Sequence, residues 1–127
     1  MSKFKYEAEF EVNAPVGMLF PYLSTRSGLG DWFADKVEVL PDKKTFIFTW
    51  EEDERKAKQT LLKADSHVKF EFEEEEDPSF FEFHLDFSEM TQTCFIRVVD
   101  YSDMDDLAEL GELWSNYIDK LKTIVGA

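Results

Sequence analysis

Two histidines, His67 and His84, and one cysteine, Cys94, are the side chains in this 127-residue chain best suited to act as base, nucleophile or metal ligand. Metal sites draw on His and Cys neighbours at short, recognisable spacings, and a nucleophile needs a base within reach. Neither histidine has such a neighbour along the sequence. His67 falls in a predicted turn and His84 on the polar face Phe80-Glu82-His84-Asp86, so both are expected to face solvent. Cys94, with no histidine converging on it, reads as a small buried hydrophobe. The acidic run Glu73-Glu74-Glu75-Glu76-Asp77 before Pro78 lacks the ligand spacing of a calcium loop and reads as a solvated turn. Gly28-x-Gly30 is not followed by Lys-Ser/Thr, so it is no phosphate loop. No catalytic residue, metal or cofactor is therefore expected.

The elements that would position any site are set against a strongly acidic background. Lys and Arg number 14 against 28 Asp and Glu, giving a net charge of −14, a field that repels nucleic acid and anionic membrane surfaces. Hydrophobic residues make up 43% and aromatic residues 16%, enough for one sizeable core, and the length argues for a single domain over 1–127. One cysteine excludes an intramolecular disulfide. The start has no signal-peptide core and no stretch approaches a membrane span, so a cytoplasmic protein is expected.

Residues 4–12 alternate, with Phe4, Tyr6, Ala8, Phe10 and Val12 on one face and Lys5, Glu7, Glu9 and Glu11 on the other, which is a half-buried strand. Asn13-Ala14-Pro15 reads as a helix start with Asn13 as N-cap, and Pro21 is expected to bend that helix. A second short helix or turn follows over 27–33. Strands are predicted at 36–40, 44–50, 55–63, 68–74, 80–87 and 92–101. Over 104–125, Leu107, Leu110, Leu113, Trp114, Tyr117, Ile118, Leu121, Ile124 and Val125 form a helical stripe, with acids near its start and Lys120 and Lys122 near its end.

Charge pairing predicts the register. With 64–67 as a hairpin loop, Lys63 faces Val68, Lys58 faces Glu73, Lys56 faces Glu75, Leu61 meets Phe70 and Gln59 meets Phe72. Trp50 opposite Arg55 adds Phe46, Phe48 and Trp50 to that apolar face. Glu82 opposite Arg97 turns Phe81, Phe83, Leu85, Phe87, Cys94, Ile96 and Val98 inward. Phe48, Gln59, Phe70, Phe72, Phe83 and Ile96 should then converge beneath Leu110, Trp114 and Tyr117 or Ile118 of the last helix. Gln59 would either satisfy local backbone groups or orient the polar end of a ligand. Trp32, Trp50 and Trp114 have core or rim positions, with Trp32 and Phe33 as gate candidates.

The order of strand, two short helices, six strands and a long helix, an α+β arrangement, resembles the helix-grip fold of the START/SRPBCC superfamily. The resemblance rests on Ala14-Pro15-Val16 with Leu19-Phe20 and Leu23, on the run Leu29-Gly30-Asp31-Trp32-Phe33-Ala34-Asp35-Lys36-Val37, and on Phe48-Thr49-Trp50. Phe70-Glu71-Phe72, Thr93-Cys94-Phe95-Ile96-Arg97-Val98 and Leu113-Trp114 extend it. Within the superfamily the chain is most similar to homologues of the activator of heat-shock-protein-90 ATPase and to small bacterial START-like proteins. The resemblance implies a curved antiparallel sheet of about seven strands (β-α-α-β6-α) wrapped on the C-terminal helix, with a hydrophobic cavity between them. It implies binding of a small hydrophobic or lipid-like ligand. The pocket residues expected are Trp32, Phe33, Phe48, Trp50, Gln59, Phe70, Phe72, Phe83, Ile96, Leu110, Trp114 and Tyr117. The alternative is an interaction module that regulates a protein partner. A cyclase or hydrolase ranks third, because no nucleophile–base or acid–base pair can be assembled from these residues.

Overall fold

A computed structural model describes residues 3–73 and 79–126. The elements run β1 (Phe4–Val12), α1 (Val16–Ser24), α2 (Arg26–Trp32), β2 (Lys36–Val39), β3 (Thr45–Trp50), β4 (Asp53–Lys63), β5 (His67–Phe72), β6 (Phe80–Ser88), β7 (Thr93–Ser102) and α3 (Leu107–Val125). All strand pairs are antiparallel, in the order β1-β7-β6-β5-β4-β3-β2. This is the curved seven-stranded sheet with a C-terminal helix expected of a helix-grip fold. The apolar face of each strand must be covered, and α3 supplies Leu110, Trp114, Ile118, Leu121 and Val125 for that purpose. Leu107, Leu113 and Ile124 of the predicted stripe lie on its flanks and are exposed.

Helix ends follow local chemistry. Asp106 Oδ1 accepts from the Glu109 N–H at 3.0 Å at the start of α3, and Gly126 closes it with φ 76°, a left-handed conformation glycine adopts without strain. The N-cap of α1 is Pro15 rather than Asn13, and no side chain caps it. Pro21 is accommodated inside α1, and Thr25 ties the next turn down by donating its hydroxyl to Pro21 O at 2.7 Å. Thr25 Oγ1 then accepts from Gly28 N at 3.0 Å and so starts α2.

The predicted registers are displaced by two residues, except between the β4–β5 loop and its bulge, where the displacement is one. In the β4–β5 hairpin Lys63 pairs with His67, Leu62 with Val68 and Leu61 with Lys69; beyond an irregularity at Thr60, Gln59 pairs with Phe70, Lys58 with Glu71 and Ala57 with Phe72. The loop is one residue shorter than expected, with Asp65 at φ 58°, and the bulge adds a second step. One step alone would have turned every side chain over; two restore the faces. Between loop and bulge the inversion survives, so Leu61 faces outward and is 40% exposed. Glu75, the expected partner of Lys56, lies outside the described residues, as does most of the acidic run.

Trp50 pairs with Asp53, not Arg55, because the β3–β4 turn has two residues and Glu51 takes φ 52°. Arg97 pairs with His84 rather than Glu82, and Cys94 with Phe87, because the four-residue β6–β7 loop lies at 89–92, one position later than expected, with Gln92 at φ 56°. Cys94, Ile96, Val98, Phe81, Phe83 and Leu85 are buried as expected, but Phe87 lies at the sheet's end and is 49% exposed.

The histidines differ from expectation. His67 is the first residue of β5, not a turn residue, and pairs directly with His84. Both lie on the outer face of the sheet, but they are half-buried and their rings stack 3.7 Å apart. Burial, and then the neighbouring His67, lower the pKa of His84.

Candidate ligand pocket

Phe33, which ends α2, is the hub of the interior. Its ring centroid lies 4.9 Å from Phe81, 5.4 Å from Trp50, 5.5 Å from Phe48 and 5.7 Å from a stacked Trp114. The backbone there is fixed by Trp50, whose indole N–H donates to Phe33 O at 2.7 Å. One residue back, the Trp32 indole donates to Tyr22 O at 2.7 Å and locks α2 onto α1. An indole can be buried only with its N–H satisfied, and these bonds explain why the tryptophans sit where they do.

Beside this cluster lies a pocket of about 250 Å³. Its apolar walls include Phe33 and Trp50, Phe72 of β5, Phe81 of β6, and Leu110, Leu113, Trp114 and Tyr117 of α3. Polar groups complete the lining: Arg55 of β4, Ser79, Asp100 and Ser102 of β7, and Asp103. The Arg55 guanidinium lies 3.8 Å above the Phe72 ring centroid, a cation–π contact. Asp100 Oδ2 accepts from the Trp114 indole at 2.8 Å. Burial raises the Asp100 pKa, opposed by its hydrogen bonds to Trp114 and Ser102 and by the Arg55 charge. Burial also raises Tyr117, with Asp35 adding to it and the Trp50 N–H opposing it. Across Trp50 and Tyr117 a second cleft of about 340 Å³ is lined by Trp32, Phe33, Ala34, Asp35, Glu51, Asp53 and Lys120 as well.

A sequence model of the START-like superfamily domain matches residues 1–127. The chain belongs to the START-like superfamily. No curated protein matches it by sequence. Solved structures of START-like form superpose over nearly all of it. The Aha1 dimer from Colwellia psychrerythraea is 18% identical with a TM-score of 0.77, covering 96% of each chain. Protein MLL2253 from Mesorhizobium loti is 14% identical with a TM-score of 0.78, covering 97% of each. DynU16, a protein of the dynemicin biosynthetic locus, is 13% identical with a TM-score of 0.76, over 97% of this chain and 47% of its own.

Of the residues read from sequence in this START-like chain, Phe33, Trp50, Phe72, Leu110, Trp114 and Tyr117 line the smaller pocket, and Trp32 lines the adjoining cleft. Phe48, Phe70, Phe83 and Ile96 have no exposed surface and form the layer beneath. Gln59 is elsewhere: its Nε2 donates to Ser24 O at 3.1 Å, joining β4 to α1, so of its two readings the structure shows the backbone-satisfying one. Arg55, Phe81, Asp100, Ser102, Met104 and Leu113 line the pocket without having been singled out. Arg55 and Asp100 carried a usable signal, since alternation from Ala57 and from Val98 assigns both charged side chains to the inward face.

Proposed function

We propose that this protein binds a small hydrophobic molecule with a hydrogen-bonding end, without transforming it. The observation that supports this is an aromatic-walled pocket whose lining includes two groups of opposite charge, Arg55 and Asp100, that influence each other electrostatically. Ligand sites typically combine apolar walls with a few placed polar groups and span about 300–1,000 Å³. A volume of about 250 Å³ therefore suits a one- or two-ring compound or a short acyl chain better than a whole lipid. The pocket residues in this reading are Phe33, Trp50, Phe72, Phe81, Leu110, Leu113, Trp114 and Tyr117, with Arg55 and Asp100 holding the polar end. The free thiol of Cys94 suits the reducing cytoplasm as its compartment. Among the described residues no helix is long and apolar enough to cross a membrane.

The test is a two-dimensional NMR titration with 1-naphthol, together with native mass spectrometry of protein purified from its own cells. The indole N–H signals of Trp50 and Trp114 should move together and saturate, and a co-purifying small molecule should be displaced by the probe. Unmoved indole signals at saturating probe would overturn the reading.

A second reading, a partner-binding module, has its own support. Met104, Leu107 and Leu113 expose apolar surface around the start of α3, and one similar structure is described as a dimer. Sedimentation of the wild type and of Leu107→Glu separates the two, since a change of mass confined to the wild type favours association through this edge.

A further inference from the structure

We infer that His67, His84 and Glu82 form a binding site for a single divalent first-row metal ion of the Zn²⁺ class on the outer face of the sheet. The three residues are brought together by strand pairing alone. His67 of β5 stands directly opposite His84 of β6, and Glu82 is two residues before His84, hence on the same face. One ligand atom from each lies within 4.8 Å of the other two. His67 Nε2 is 3.0 Å from Glu82 Oε1, and His84 Nε2 is 4.0 Å from Glu82 Oε2. Tetrahedral Zn²⁺ with ligands at about 2.0–2.2 Å sets those ligands about 3.3–3.5 Å apart. The imidazoles must turn out of their present stack to aim their nitrogens at one ion.

Two imidazoles and one carboxylate suit Zn²⁺, Cu²⁺ or Ni²⁺ rather than Ca²⁺ or Mg²⁺, which prefer all-oxygen shells. The side chains are 18%, 21% and 18% exposed, so the cluster is held by its neighbours yet open to solvent on one side. Three protein ligands leave a fourth position to water, as at exchangeable zinc sites. Three cations flank the cluster: Lys63, opposite His67, is exposed to solvent, and the other two are engaged elsewhere. Lys69, opposite Glu82, has its ammonium 4.2 Å above the Phe80 ring. Arg97, opposite His84, donates to Glu7 Oε1 at 3.0 Å. The acidic surface favours any cation, so the discriminating property is dependence on imidazole.

The experiment is calorimetric titration of the full chain with ZnCl₂ in excess MgCl₂, which occupies exposed carboxylates. One Zn²⁺ per chain is expected, with affinity lowered at least tenfold by His84→Asn, His67→Asn and Glu82→Gln. A melting temperature raised by Zn²⁺ in the wild type and unchanged by it in His84→Asn is expected as well, since a ligand of the native state stabilises by mass action. In the wild type, where folding is not at issue, one equivalent of Zn²⁺ should shift the imidazole NMR signals of both histidines. Binding abolished by Mg²⁺, equal affinity in the histidine variants, or unmoved imidazole signals would overturn the inference.

Discussion

The indole N–H of Trp114 on α3 donates to Asp100 Oδ2 on β7 at 2.8 Å, so a carboxylate on the inward face of the sheet fastens the covering helix. A charged group taken out of water is costly unless it is paired. Here Trp114, Ser102 and the Arg55 charge offset part of that cost, and the raised Asp100 pKa shows that burial still outweighs them. The bond that holds the helix also fixes a polar group at the wall of the pocket.

Asp100→Asn keeps an acceptor for the indole and removes the charge. Asp100 binds its proton more tightly folded than unfolded, because its folded pKa lies above the ordinary 3.8. The stability this proton contributes is present below 3.8 and lost as pH rises through the folded value. At pH 7 Asp100→Asn should therefore be at least as stable as the wild type, and the difference should shrink as pH falls toward about 4. Urea unfolding of both proteins across that range checks it; a wild type that gains on the variant as pH rises would contradict it. Asp100→Ala, which leaves the indole unpaired, should cost about 1–3 kcal/mol.

Gly28 packs α2 against α1 with no room for a side chain. A Cβ there would meet Pro21 O at 2.2 Å and the Tyr22 Cα at 2.4 Å, both backbone atoms that cannot swing away. Gly28→Ala should cost at least the ~1–3 kcal/mol usual for overpacking, lowering the melting temperature. Gly17→Ala, with nothing within 4 Å of the added carbon, is the control and should be neutral or slightly stabilising.

The faces of the strands were legible because side chains alternate with a period of two, and errors of two residues leave that alternation untouched. This is why Cys94, Ile96 and Val98 were read as inward although their partners were misassigned. The turns were not legible. Glu51, Asp65 and Gln92 all take positive φ, and none is the glycine or Asn-Gly signal that marks such conformations in sequence. Glu51 is held by its surroundings, its N–H donating to Asp35 Oδ2 at 2.6 Å. The histidine cluster was invisible for the same reason: Glu82 and His84 share a strand face, but His67 lies 15 and 17 positions from them and meets them only through the β5–β6 register. The pocket was half legible. Aromatic residues marked its depth, whereas its polar groups, Arg55 and Asp100, needed weight to be given to charge at inward positions.

Cys94 offers a clean readout of the fold. It is 2% exposed, and burial raises its thiol pKa. Both effects suppress the thiolate that reacts with disulfide reagents. Labelling by Ellman's reagent should be slow in the native protein and go to one equivalent in denaturant. Fast labelling under native conditions would mean that β6 and β7 open locally.

Phe72→Trp separates a ligand pocket from a filled core. Phe72 is 8% exposed, lies under the Arg55 guanidinium at 3.8 Å, and has its ring 5.6 Å from Phe81 on the pocket wall. In a packed interior the larger ring must displace neighbours, at about 1–3 kcal/mol. Beside a pocket of about 250 Å³ it can extend into open space and keep its contact with Arg55. We therefore expect a melting temperature equal to or above that of the wild type, with 1-naphthol affinity reduced at least tenfold. Phe48→Trp is the counterpart, since Phe48 has no exposed surface and should be destabilised by the same change. If Phe72→Trp loses stability as Phe48→Trp does, and naphthol binding is unchanged in the folded fraction, the pocket does not receive the ligand. The aromatic interior would then serve stability alone, and function would have to be sought on the outer face and at the exposed edge of α3.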